Sequence, residues 1–224
     1  MNDNLLMQAP VWTAVDDFFN RTLVGSDPIF DDVLRRSEAA GLPAISVTAS
    51  QGKLLAVLAA AVGARQALEI GTLGGFSAIW IARALAPGGR LVTIEAEPRH
   101  AAVARESFTR AGVNDRIELR EGKALDGLPA LAGARLDFTF IDADKPNTPA
   151  YFDWAIRLSR AGALIVIDNV VREGEIADAA STDASALAMR EVCERAGTDP
   201  RVTATALQTV GSKGYDGFLI ARVS

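Results

Sequence analysis

From residue 66 onward, short apolar runs alternate with longer amphipathic stretches. The runs are five or six residues long and most are rich in Val, Ile, Leu and Phe. They predict strands at Gln66–Ile70, Leu91–Glu95, Arg116–Arg120, Leu136–Ile141, Ala163–Asp168, Val202–Leu207 and Gly217–Arg222. Helical spacing predicts helices over Gly75–Leu85, Pro98–Ala111, Ala124–Leu131, Thr148–Leu158 and Asp183–Ala196. Breaks fall at Pro87-Gly88-Gly89, Gly112, Gly133 and Ala161-Gly162. Upstream, helices are predicted at Val11–Thr22, Ile29–Ala40 and Ser50–Val62. In the last, Leu54, Leu55, Leu58, Ala61 and Val62 form one apolar stripe.

Strand–helix alternation of this kind implies right-handed crossovers and a parallel sheet covered on both faces. Only a short segment around Gly211-Ser212-Lys213-Gly214, too short for a helix, separates the last two strands, so they read as an antiparallel hairpin. The expected architecture is a single α/β domain over 1–224. Residues 1–62 form an N-terminal helical cap and 63–224 the α/β core. The sheet is Rossmann-like and seven-stranded, mostly parallel, with helices on both faces.

Composition narrows the function. The 224 residues are 49% apolar, enough for a sizeable core, with 23 basic against 28 acidic side chains and a net charge of -5. The chain lacks the basic footprint of a nucleic-acid binder. Cys193 is the one cysteine, so no intrachain disulfide can form, which fits a reducing compartment; its helical setting reads as a small core side chain. Asp3, Asp16 and Asp17 argue against a signal peptide, and the longest apolar stretch, Leu54–Gly63, is too short to span a bilayer. A cytoplasmic protein with no membrane partner is expected.

Candidate chemistry sits at the strand ends, where open α/β sheets bind ligands. The first strand runs into Glu69-Ile70-Gly71-Thr72-Leu73-Gly74-Gly75-Phe76-Ser77. Glycine there permits a sharp turn and a close ligand. The spacing is G-x-x-G-G rather than the dinucleotide G-x-G-x-x-G. A carboxylate at Glu69 needs a partner, which a cationic amino group on a ligand supplies. Glu95 ends the second strand, where an acid can accept both hydroxyls of a ribose. The fourth strand ends Ile141-Asp142-Ala143-Asp144-Lys145 and the fifth Ile167-Asp168-Asn169. If these strands are neighbours, Asp142, Asp168 and Asn169 offer three oxygen donors on one rim, a set suited to Mg²⁺ with positions left for a vicinal diol. Lys145, three residues beyond Asp142, is placed to take a hydroxyl proton. Asp144 alone reads as a helix cap or turn former.

Together these motifs resemble the cation-dependent class I O-methyltransferases, the group that includes catechol and caffeoyl-CoA O-methyltransferases, in their bacterial form. The resemblance runs from about Leu42 to the C-terminus. It rests on Gln51-Gly52-Lys53-Leu54-Leu55, Leu68 to Gly75, Phe140 to Lys145, Asp168-Asn169-Val170 and Lys213-Gly214-Tyr215-Asp216-Gly217-Phe218. It implies S-adenosylmethionine as cofactor, with Val47, Glu69, Gly71 and Ser77 at its methionine part, Glu95 at the ribose, Ala124 near the adenine and Thr72 also among the cofactor-binding residues. It also implies that Asp142 touches cofactor and metal alike, that Asp168 and Asn169 complete the metal set, and that Lys145 is the base. The implied substrate is a small aromatic diol or phenol, and the implied assembly a homodimer. Two departures stand out: Phe76 where a Tyr is common, and Pro146-Asn147-Thr148 where many relatives have Asn-Tyr. The second flanks the metal rim and bears on substrate preference.

Two alternatives remain at this point. One is a nucleotide-cofactor oxidoreductase on a similar sheet. The other is a protein that binds S-adenosylmethionine without turnover. His100, the one histidine, reads as a helix-face residue outside the chemistry. Trp80 and Trp154 read as packing residues, while Trp12 is a candidate for the substrate wall. The acidic stretch Asp178–Asp183 reads as a solvated loop.

Overall fold

A computed structural model describes residues 3–224. The strands are β1 (Gln66–Ile70), β2 (Arg90–Glu95), β3 (Ile117–Glu121), β4 (Leu136–Ile141), β5 (Ser159–Asp168), β6 (Val202–Gly211) and β7 (Gly214–Val223). They form one sheet in the order β3-β2-β1-β4-β5-β7-β6. β1 to β5 are mutually parallel; β7 pairs antiparallel with both β5 and β6. The expected mostly parallel sheet with a C-terminal antiparallel hairpin is therefore present. One feature is added: β7 inserts between β5 and β6.

All six residues of β4 are buried, as both-face coverage requires. Phe138 and Phe140 belong to it and are completely enclosed, so truncating either to Ala would cost about 3–5 kcal/mol. The helices are α1 (Asp3–Phe19), α2 (Pro28–Ala39), α3 (Ala49–Ala61), α4 (Phe76–Ala84), α5 (Pro98–Arg110), α6 (Ala124–Gly127), α7 (Thr148–Leu158) and α8 (Ala184–Thr198). Among the described residues, no helix is long and apolar enough to cross a membrane.

Several boundaries differ from the sequence reading, each for a physical reason. α1 begins at Asp3 rather than Val11, with Pro10 accommodated inside the helix. It passes into a π-helical turn over Asn20–Val24. β5 starts at Ser159, since Gly162 (φ 84°) lets the strand bulge where a break was expected. β6 and β7 run on to a two-residue turn at Ser212-Lys213. The buried face of α3 is Gly52, Leu55 and Ala59, with Leu54 and Leu58 partly covered and Ala61 exposed. Gly52 sets that face: a Cβ there would lie 2.3 Å from Trp80. Trp80 itself stacks on Phe30 at 4.1 Å, a packing role.

Candidate active site

The carboxyl ends of β1, β2, β4 and β5 open into a cleft of about 1490 Å³. That exceeds the roughly 300–1,000 Å³ of an ordinary small-molecule site, so there is room for two ligands side by side. The order of the sheet reverses between β1 and β4, and the cleft sits at that switch point.

One half of the cleft is built by the glycine turn. Gly71 (φ 95°) lies so close to β4 that a Cβ would fall 2.1 Å from the Asp142 carbonyl oxygen. Glu95 holds this turn. Its Oε2 accepts the backbone N–H groups of Thr72 (3.0 Å) and Leu73 (2.8 Å), and Oε1 accepts that of Glu97 (3.0 Å). Leu73 is thereby kept at φ 49°. With Oε2 saturated, Glu95 keeps acceptor capacity on Oε1 alone, less than the two-hydroxyl clamp expected. Val47, Thr72, Ser77 and Ala124 line the cleft. His100 also lines it, with Nδ1 3.4 Å from Glu95 Oε1. The helix-face reading missed this because α5 starts at Pro98, directly after β2, and folds its first turn back over the strand end.

Glu69 differs from its expected position. It is wholly buried and does not itself line the cleft, although Ile70, Gly71 and Ser77 around it do. Its Oε2 accepts the Thr93 hydroxyl at 2.6 Å, and Thr93 also pairs with Thr72 Oγ1 at 2.6 Å. Its Oε1 is buried without a partner. Burial raises its pKa to about 8 against the pull of the Thr93 and Ser77 hydroxyls, and the charges of Asp142 and Glu95 add to the rise.

The other half carries the acids. β4 and β5 are adjacent, with Ile141 opposite Ile167, so Asp142 and Asp168 follow at neighbouring strand ends. Both line the cleft with Asn169 and Lys145. Lys145 Nζ donates to Asp142 Oδ1 at 2.7 Å. Asp168 is buried, and its pKa is pushed upward by burial first and then by the charge of Asp142, with Lys145 opposing. Asn169 sits at φ 61° and donates its Nδ2 to Asp216 Oδ2 at 3.0 Å, which leaves Oδ1 free to accept or ligate. Asp216 Oδ1 takes the N–H groups of Val171 (3.0 Å), Arg172 (3.1 Å) and Gly217 (2.9 Å). Asp216 is thus the residue that shapes this rim. It lay within the Lys213–Phe218 motif, but its role was not legible there.

No group of three or more His, Cys, Asp and Glu able to hold a metal occurs among the described residues. The candidate set is two carboxylates with an amide oxygen as third donor. It fits a hard dication: two close acids disfavour each other's ionisation, and a cation between them removes that conflict. Asp144 stands at the N-cap position of the short 3₁₀ turn Lys145–Asn147, in keeping with the reading of a cap or turn former, but it does more than that. Its side chain makes no capping bond; it lines the cleft and accepts the Tyr151 hydroxyl and the Asn147 amide, each at 2.5 Å. Trp12 does not line the cleft; from α1 the wall is Asp16 and Phe19.

The O-methyltransferase family model matches residues 22–222. The chain belongs to the O-methyltransferase family. A catechol O-methyltransferase of Mycobacterium tuberculosis is 56% identical over 216 residues, covering 96% of this chain and 98% of that protein. An O-methyltransferase of Bacillus cereus, solved in complex with SAH, superposes with a TM-score of 0.94 at 52% identity, covering 96% of this chain and 99% of that one. A Streptomyces achromogenes O-methyltransferase solved with SAM gives 0.93 at 45% identity, covering 97% and 99%. Membership of this enzyme family sets aside both the oxidoreductase and the non-catalytic alternatives. The cleft therefore has two halves, one at Gly71 and Glu95 and the other at Asp142 and Asp168.

Proposed function

We propose that this enzyme moves the methyl group of S-adenosylmethionine to one hydroxyl of a small aromatic vicinal diol. The reading is carried by one observation: two carboxylates, an amide oxygen and an ammonium meet at adjacent strand ends, beside a glycine turn braced by Glu95. Asp142, Asp168 and Asn169 would hold a divalent cation, Mg²⁺ by the hardness of the donors. When bound, the cation supplies Lewis acidity that eases ionisation of the diol, and the cofactor supplies an electrophilic methyl group on sulfonium.

The chain's own residues do the rest. Gly71, Thr72 and Ser77 shape the donor pocket, and Glu95 Oε1 accepts one ribose hydroxyl. Val47 closes the methionine end and Ala124 the adenine end. Glu69 offers its orphaned oxygen to the cofactor's ammonium side, one hydroxyl behind the wall at Ser77. Lys145, held at Asp142, takes the proton from the attacking oxygen. Fixing that oxygen in line with the methyl supplies much of the rate.

We further propose that the molecule works as one catalytic unit, with α1 to α3 as its cap. The exposed apolar side chains Val11, Val15, Phe18 and Leu23 support a homodimer. Methyl transfer to catechol is expected to vanish in EDTA and return with Mg²⁺ or Mn²⁺. Full activity under chelation would remove the metal from the reading.

A further inference from the structure

The end of the cleft at Asp142 and Asp168 holds two cations, Arg172 and Lys213, that form no ion pair among the described residues. Arg172 lies three residues past Asn169, in the short 3₁₀ segment Arg172–Ala177, and lines the cleft. Its backbone is left-handed (φ 55°), fixed by its N–H bond to Asp216. Strain of this kind at a non-glycine residue persists only where the surroundings impose it, and it gathers at ligand sites. The Nε of Arg172 is buried and has no hydrogen-bond partner. A buried unpaired guanidinium nitrogen is costly unless something arrives to accept from it.

Lys213 comes from the two-residue turn between β6 and β7 and also lines the cleft. The residue is exposed at the cleft's mouth; burial lowers its pKa and the charges of Asp142 and Asp168 raise it. Lys213 and Arg172 thus line the same cleft as Asp142, Asp168 and Asn169. No carboxylate lies within ion-pair distance of Lys213 or Arg172 among the described residues.

The local acids have other partners. Asp16 accepts the Ser212 N–H, Asp144 holds Tyr151 and Asn147, Asp216 holds three N–H groups and Asn169, and Asp142 holds Lys145. A dication on Asp142 and Asp168 and a sulfonium nearby would add positive charge to this end.

We infer that the acceptor is an anionic diol, a catechol carrying a carboxylate, and that Arg172 and Lys213 bind that carboxylate while the diol faces Asp142, Asp168 and Lys145. This rests on the diol-methylating reading above. The planar fork of Arg172 suits a carboxylate, and Lys213 adds a movable point charge.

The test compares 3,4-dihydroxyphenylacetate with its methyl ester, using full-length enzyme with Mg²⁺ and S-adenosylmethionine. The methylene insulates the ring, so both diols have similar hydroxyl chemistry. The acid is expected to exceed the ester in kcat/KM by about tenfold, consistent with a charge-assisted contact. Added salt should shrink that ratio. Arg172→Gln and Lys213→Gln should each lower the ratio several-fold, chiefly through KM of the acid, and Arg172→Lys should restore part of it. Equal rates for acid and ester in the unaltered enzyme would overturn the inference and leave diol methylation standing. So would a rise in the cofactor's KM as the main effect of Arg172→Gln. Methylation of neither diol would overturn the functional reading and this inference with it.

Discussion

Glu69→Gln isolates the energetic cost of a carboxyl group sealed behind the glycine turn. Glu69 is wholly buried, and its pKa stands at about 8 against an ordinary 4.5. A carboxyl whose folded pKa exceeds its unfolded value binds more protons in the native state. Its contribution to stability is complete below pH 4.5 and is lost as pH rises toward about 8. At about 1.4 kcal/mol per tenfold change in proton activity, that interval amounts to about 5 kcal/mol. Relaxation around the buried charge brings the expected value nearer to about 3 kcal/mol. Glutamine keeps the shape and can still accept from Thr93, but it carries no titratable proton. The assay is urea unfolding of cofactor-free, metal-free protein at half-unit steps from pH 5 to 9, variant against unaltered chain. The variant's advantage should grow steadily to about pH 8 and then level off. Asp168, whose pKa is also raised, is present in both proteins and largely cancels. Saturating S-adenosylhomocysteine should flatten the slope in the unaltered protein only, because its ammonium favours ionised Glu69. A stability difference independent of pH would refute the reasoning.

Lys145→Ala should cut turnover by about 10²–10⁴-fold, the range of a lost general base, and leave the affinity for S-adenosylhomocysteine within about twofold, read by calorimetry. A large loss of cofactor binding would mean the lysine serves the donor side. Asp216→Asn should weaken Mn²⁺ binding by about 10–100-fold, as loss of a residue that orients a ligand does, measured by paramagnetic titration without substrate. Unchanged Mn²⁺ affinity would make Asp216 a loop-holding residue only. Gly71→Ala combines a left-handed backbone with a Cβ 2.1 Å from the Asp142 carbonyl, so it should lower thermal stability and remove cofactor binding together. A stable variant that still binds S-adenosylhomocysteine would show that the turn can relax away from β4.

What could be read from the chain, and what could not, follows from how far each feature reaches. Strand ends were legible because an apolar run stops where water begins, so Glu95, Asp142 and Asp168–Asn169 fall at the carboxyl rim wherever the strands are packed. Their meeting depended only on β4 and β5 being neighbours, which short parallel crossovers favour. Glu69 shows the first limit. A carboxylate near a strand end points into the cleft or behind it according to the pleat and its hydroxyl neighbours, and Thr93, on another strand, holds it behind. Asp216 shows the second. It meets Asn169, 47 residues earlier, only because β7 lies between β5 and β6. A hairpin pattern alone permits either strand to face β5. With β6 inside instead, Asn169 would lose the bond that orients its amide and Arg172 the anchor that aims it. The half of the cleft at Gly71 and Glu95 is thus local, coming from one turn and the next strand end. The half at Asp168, Asn169 and Arg172 takes its shape from strand order, and is therefore the part least visible in the sequence.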